Sequence, residues 1–324
     1  MKQKEITNLI FKFQKSAKNA PRPCLHDGCN QLSIDSHLLQ KKGIIDSISE
    51  NQHVVEISLN GFKKDFFEFK RVGIKEALSY PGFCNTHDTE LFREIETDHV
   101  NFSDYKTQLL LSYRALMIER RKKEINIDWK NKIINSNTLS PFLDDAFKRE
   151  LHESGIANKL GIQDQEHYKK LFLENLTNDK LQLFQFIYFE LPRIEICSSA
   201  IFSYETTQEI AIKNILNRDK EKEPLTDVYF HLIPLSDKSI VIMGCNKQKV
   251  NICWDFISSF NLGNPNQSMK RISDLLICQV ENWVCSPSFY LNYCKKRETK
   301  INNLVRISMR HPDERRELDF NIFD

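Results

Sequence analysis

Two short pairs of metal-binding residue types, Cys24-x4-Cys29 and Cys84-x2-His87, stand far apart in this 324-residue chain. Structural zinc takes four soft or borderline donors in a tetrahedron, commonly as two such pairs delivered by distant segments. The spacing therefore predicts one Zn2+ held by Cys24, Cys29, Cys84 and His87, with the first hundred residues folded back on themselves to bring the pairs together. The flanking residues agree. Gly28 stands where the first pair needs a tight turn, and Asp88 to Glu96 reads as a helix with acidic residues near its positive end.

The cysteine count argues the same way. Nine cysteines, an odd number, lie behind an N-terminus (MKQKEITNLIFKFQK) that alternates charged and apolar residues instead of forming a basic cap and an apolar run. The expectation is a cytoplasmic protein whose thiols are metal ligands or small buried hydrophobes rather than a disulfide framework. Cys197, Cys245, Cys253, Cys278 and Cys285 sit in apolar or β-like surroundings, and Cys294 stands beside Lys295 and Lys296, which would lower its pKa if they faced it. The longest apolar stretch, Leu181 to Leu191, is interrupted by Gln and Glu and is too short to span a bilayer, so no membrane segment is expected. A net charge of +2 excludes bulk attraction to nucleic acid, and any such contact must come from a local patch.

Periodicity divides the chain into three parts. Residues 1–101 form the zinc-binding unit. A helix ends at Pro21 and Pro23, a short strand over QLSIDSH ends in His37, and a β-hairpin has HVVEISL and FFEFKRV as its arms with Asn60-Gly61 between them. Residues 102–179 read as a helical connector: an apolar stripe of Tyr105, Leu109, Tyr113, Leu116 and Met117 closes on the basic run ERRKKE, read as a solvated helix end. A second helical region from Pro141 to Asn178 is broken near Gly161. Residues 180–324 are rich in β-branched and aromatic runs (QLFQFIYFEL, IEICSSAIFSY, DVYFHLIPL, SIVIMGC) followed by the helical segments WDFISSF and QSMKRISDLLICQVENWV. The expected class is α+β, with a mostly antiparallel C-terminal sheet covered by helices.

A cysteine pair, a strand ending in His, a hairpin, and a Cys/His pair opening a helix form a treble-clef arrangement. Over about residues 20–100 it resembles the zinc-containing HNH family of ββα-metal nucleases. The resemblance implies a purely structural zinc, His37 as the general base that activates water, and Asp88 as a ligand for a catalytic Mg2+ or Mn2+. It also implies DNA or RNA as substrate, with Lys41, Lys42, Lys63, Lys64, Lys70 and Arg71 near enough in sequence to hold phosphates. Two departures accompany it. Ser36 stands where the family has an acidic metal ligand, with Asp35 one residue further back, and the signature's middle Asn has no clear counterpart. The alternative is a non-catalytic zinc scaffold or sensor that recognises nucleic acid or a protein. An HNH-like head on an otherwise anonymous body resembles components of prokaryotic phage or mobile-element defence, which would supply the protein partner. Arg306-x4-His311 has the spacing of some helical ribonucleases, but Pro312 follows at once.

Overall fold

A computed structural model describes residues 2–59, 67–178, 180–205, 209, 223–261, 263–310 and 316–324. The chain opens with helix α1 (Gln3–Lys18), short strand β1 (Asp35–His37), hairpin strands β2 (His53–Leu59) and β3 (Phe67–Gly73), strand β4 (Ser79–Pro81) and helix α2 (Asn85–Phe92). Two long helices follow, α3 (Tyr105–Ile134) and α4 (Asp145–Thr177). Then come strands β5 (Phe184–Pro192), β6 (Ile196–Ser203), β7 (Asp227–Pro234) and β8 (Lys238–Asn246), helices α5 (Val250–Ser258) and α6 (Pro265–Cys278), strand β9 (Trp283–Cys285) and helix α7 (Glu298–Arg310). The hairpin tip with Asn60-Gly61, Lys63 and Lys64 lies outside the described residues, as does His311.

The fold is mixed α and β with an antiparallel sheet, as the sequence predicts. Seven strands form one sheet in the order β3-β2-β9-β6-β7-β8-β5, and β1 pairs with β4 in a separate two-stranded ribbon. The large sheet is buried on both faces, so its central strands read as unbroken apolar runs even though every pairing is antiparallel. Side-chain alternation sorts them. Tyr229, Ile233 and Ile242 join α3 and the N-terminal residues in one core, while Val228, Phe230, Leu232, Val241 and Met243 join α5, α6 and Ile301 of α7 in the other.

The hairpin joins the C-terminal strands in one sheet: Val55 and Glu56 of β2 pair with Cys285 and Val284 of β9. Two local helix readings differ from the structure. The segment QVENWV leaves the helix after Cys278, and its Trp-Val becomes the start of β9. Helix α4 passes through Gly161 without a break. A Cβ there would stand 2.9 Å from Cε of Lys123, so the glycine lets α3 and α4 approach closely.

The basic run ERRKKE lies mid-helix, since α3 continues to Ile134, and each of its cations has an acidic partner. Arg120 pairs with Glu124 and Glu166, Arg121 with Glu124, Lys122 with Glu119 and Glu281, and Lys123 with Glu119. The six C-terminal cysteines are all buried as thiols, Cys294 included. Burial raises the thiol pKa of Cys197, Cys278 and Cys285, which suits inert packing residues.

Candidate metal centre

The first cysteine pair rides on a turn that the backbone closes itself. Gly28 adopts φ +74, which a side chain would resist, and Cys29 N–H then reaches the His26 carbonyl at 3.2 Å. The second pair opens α2: Cys84 is the N-cap and His87 lies in the first turn. Backbone bonds stitch the two halves together, Leu25 N–H to the Gly82 carbonyl at 3.1 Å and Ile34 N–H to the Phe83 carbonyl at 2.8 Å.

Sγ of Cys24, Cys29 and Cys84 and a ring nitrogen of His87 all lie within 4.8 Å of one another. Individual separations are 3.9 Å for Cys29 Sγ to Cys84 Sγ, 3.6 Å for Cys24 Sγ to His87 Nδ1 and 3.2 Å for Cys84 Sγ to His87 Nδ1. Donors about 2.3 Å (sulfur) and 2.0–2.1 Å (nitrogen) from a shared centre stand roughly 3.5–3.8 Å apart at tetrahedral angles, so the set fits a zinc ion. Four protein donors would leave no open position, the pattern of a structural site rather than a Lewis-acid catalyst.

Burial raises the Cys24 thiol pKa even though two backbone N–H groups point at its sulfur. Cys24 Sγ accepts N–H groups from Cys84 at 3.2 Å and His26 at 3.4 Å. At Cys84, burial pushes the thiol pKa up, but backbone bonds at the start of α2 and the neighbouring sulfurs bring the net shift down. His26 stacks flat on the ligand ring of His87, with centroids 3.7 Å apart and an interplanar angle of 1°. Its Nδ1 meets the Asp27 carbonyl at 2.9 Å, so it packs on His87 from outside the four-donor set.

His37 ends β1 opposite Ser79 of β4, half-buried, with Nε2 3.0 Å from the Ile74 carbonyl. A carbonyl can only accept, so Nε2 carries the proton and Nδ1 is the basic nitrogen. Burial holds the ring's pKa below the usual imidazole value, with Lys41 and Arg114 acting in the same direction and the Ile74 carbonyl and Glu96 opposing. Leu78, just before β4, takes φ +51 with its carbonyl bound by Leu38 N–H, a strained position next to the residue facing His37. Ser36, Ser79 and Asp88 have in common a buried oxygen without a hydrogen-bond partner: Oγ of each serine and Oδ1 of the aspartate.

Among the described residues the Cys24/Cys29/Cys84/His87 group is the one set of three or more His, Cys, Asp or Glu donors close enough to share an ion. Neither His37 nor Asp88 belongs to such a set. Of the basic residues that the sequence offers as phosphate contacts, Lys42, Lys70 and Arg71 are exposed and Lys41 is half-buried.

Two contributors escape a residue-by-residue reading of the sequence. Arg121 and Lys169, both buried, reach the metal-binding segments from α3 and α4, Lys169 through an ion pair with Asp27. Long-range carbonyl contacts leave no local sequence signal. The only hint is a doubled arginine on a helix whose apolar stripe runs through it.

No helix among the described residues is long and apolar enough to cross a membrane. Comparison of the chain with protein-family models, with curated proteins and with solved structures finds no match.

Proposed function

We propose that residues 1–101 act as a zinc-stabilised, treble-clef, HNH-like module on nucleic acid, as a metal-dependent endonuclease in which the zinc is structural. The observation that carries this reading is the orphaned Oδ1 of Asp88, buried without a partner in the residue directly after the zinc ligand His87. A buried carboxylate oxygen with no donor calls for a missing ligand, and a divalent cation with its waters supplies one. His37 complements it. Its free Nδ1 and lowered pKa suit a neutral base that takes a proton from water at physiological pH.

In this reading Asp88 would help to hold Mg2+ or Mn2+, which would supply electrostatic stabilisation of the leaving oxygen, and Lys41, Lys42, Lys70 and Arg71 would hold the phosphate backbone. The test is elemental analysis of the purified chain together with cleavage of single- and double-stranded DNA and RNA under Mg2+ and Mn2+. The parent should carry one zinc and cut at least one substrate, and His37→Ala should lose about 100-fold or more of the rate. A His37→Ala variant that cuts as fast as the parent removes the base assignment, and an unaffected Asp88→Ala removes the ligand.

Ser36 favours a second reading. Its hydroxyl replaces the carboxylate that would share the catalytic cation, and the resulting module would be a non-catalytic scaffold for nucleic acid or for a protein partner in a prokaryotic defence system. One tightly held zinc, salt-sensitive binding and no cleavage of any substrate would select it.

A further inference from the structure

Arg121 lies in the middle of α3 and is 1% exposed. Its Nε donates to the Pro81 carbonyl at 2.6 Å, its Nη2 to the Pro23 carbonyl at 2.5 Å, and its Nη1 to a carboxylate oxygen of Glu124 at 2.5 Å. Pro23 directly precedes Cys24, and Pro81 leads through Gly82 and Phe83 to Cys84. One planar guanidinium thus grips the chain at the entrance to each half of the donor set. Its fork sets the distance between the two carbonyls in a way a flexible ammonium does not.

We propose that Arg121 is the positioning residue of the metal centre: it holds the two ligand-bearing segments in register before an ion enters. Metal affinity then depends on a side chain that touches neither the ion nor any of its four donors. This inference rests on the metal-binding reading of Cys24, Cys29, Cys84 and His87.

Three observations set Arg121 apart from an ordinary buried ion pair. Among the described residues its one acidic partner is Glu124, three residues away on the same helix, whereas both long-range bonds end on the two segments that carry the donor pairs. The segments also meet directly, Cys84 N–H donating to Cys24 Sγ at 3.2 Å, so a small shift of either proline carbonyl is felt at the sulfurs. The grip is reinforced from α4, where Lys169 pairs with Asp27 inside the first cysteine pair. Burying a guanidinium is costly unless its donors are satisfied, and two of those donors are satisfied only when the half-sites are assembled.

The test uses the full chain and three variants: Arg121→Lys, Arg121→Met and a control, Lys130→Met. Lys130 is a buried cation on the same helix that bonds Ser154 Oγ of α4 at 2.5 Å, away from the metal-binding segments. Zinc affinity is measured by competition with a chromophoric chelator, site geometry by the visible d–d spectrum after Co2+ substitution, and stability by thermal unfolding of the zinc-loaded proteins. Arg121→Lys should lose about 10- to 100-fold in zinc affinity, the range typical for residues that orient metal ligands, with a weakened tetrahedral cobalt spectrum. Lys130→Met should lower the melting temperature while leaving affinity and spectrum as in the parent.

The role is overturned if Arg121→Lys binds zinc within about twofold of the parent, well short of that loss. It is equally overturned if Arg121→Lys and Lys130→Met lose affinity in the same proportion as they lose stability. If Arg121→Met does not fold, the lysine variant and the control still decide the matter. A parent chain that takes up neither zinc nor cobalt fails differently, because it removes the metal centre itself.

Discussion

Single residues in the interior do work the sequence does not advertise, and His231 shows how. It sits on β7 with no exposure, between Ser112 Oγ at 3.1 Å from Nε2 and Ser199 Oγ at 3.0 Å from Nδ1, and burial drives its pKa down to about 3. A neutral ring can satisfy both hydroxyls, one nitrogen donating and the other accepting. Because the folded-state pKa lies below the ordinary value of 6.5, the unfolded chain binds the proton more readily. The contribution is intact above pH 6.5 and is lost as the pH falls from there toward 3, at up to about 1.4 kcal/mol per pH unit and on the order of 4–5 kcal/mol in all. Chemical denaturation across that window should show the parent losing stability more steeply than His231→Gln, and parallel curves would remove His231 as the cause.

At the scale of elements, helices and strands meet where side chains are small. Gly244 of β8 faces Phe186 of β5, and a Cβ at that position would lie 2.1 Å from Cδ1 of Phe186 and 2.6 Å from the Gln185 carbonyl. The aromatic ring covers the bare backbone and leaves no room for a methyl. Gly244→Ala should therefore destabilise by about 2–4 kcal/mol. Gly161→Ala crowds only the outer side-chain atoms of Lys123 while gaining helix propensity, so its net effect should stay within about 1 kcal/mol. Urea melts of the two variants check the contrast, and a mild Gly244→Ala would mean that β5 and β8 can shift apart.

For the whole molecule the decisive contact is β2 with β9. A hairpin from the first third of the chain extends a sheet built by residues 184–285, and Val55 lies in the same core as Phe230 and Leu276. Metal binding, α3 and the sheet should then unfold together. Calorimetry of the zinc-loaded chain should give one transition, and chelation should move that transition as a whole, by several degrees or more, rather than melt a separate N-terminal part. Two resolved transitions, with only the lower one sensitive to chelator, would show the N-terminal module to be energetically independent.

Much of this protein is legible in local chemistry. Donor spacing picks out Cys24, Cys29, Cys84 and His87, Gly28 and the Asp88–Glu96 pattern mark the turn and helix beside them, and β-branched runs mark strands β5 to β8. These features follow from ligand geometry, φ preference and side-chain periodicity over a few residues. What only the tertiary structure decides is where distant segments meet: β2 beside β9, the ERRKKE run half-buried in mid-helix, Arg121 between two proline carbonyls. A basic run on a helix looks the same in sequence whether water or carbonyl oxygens surround it. The difference lies in desolvation and long-range pairing, which arise only once the chain has closed around it.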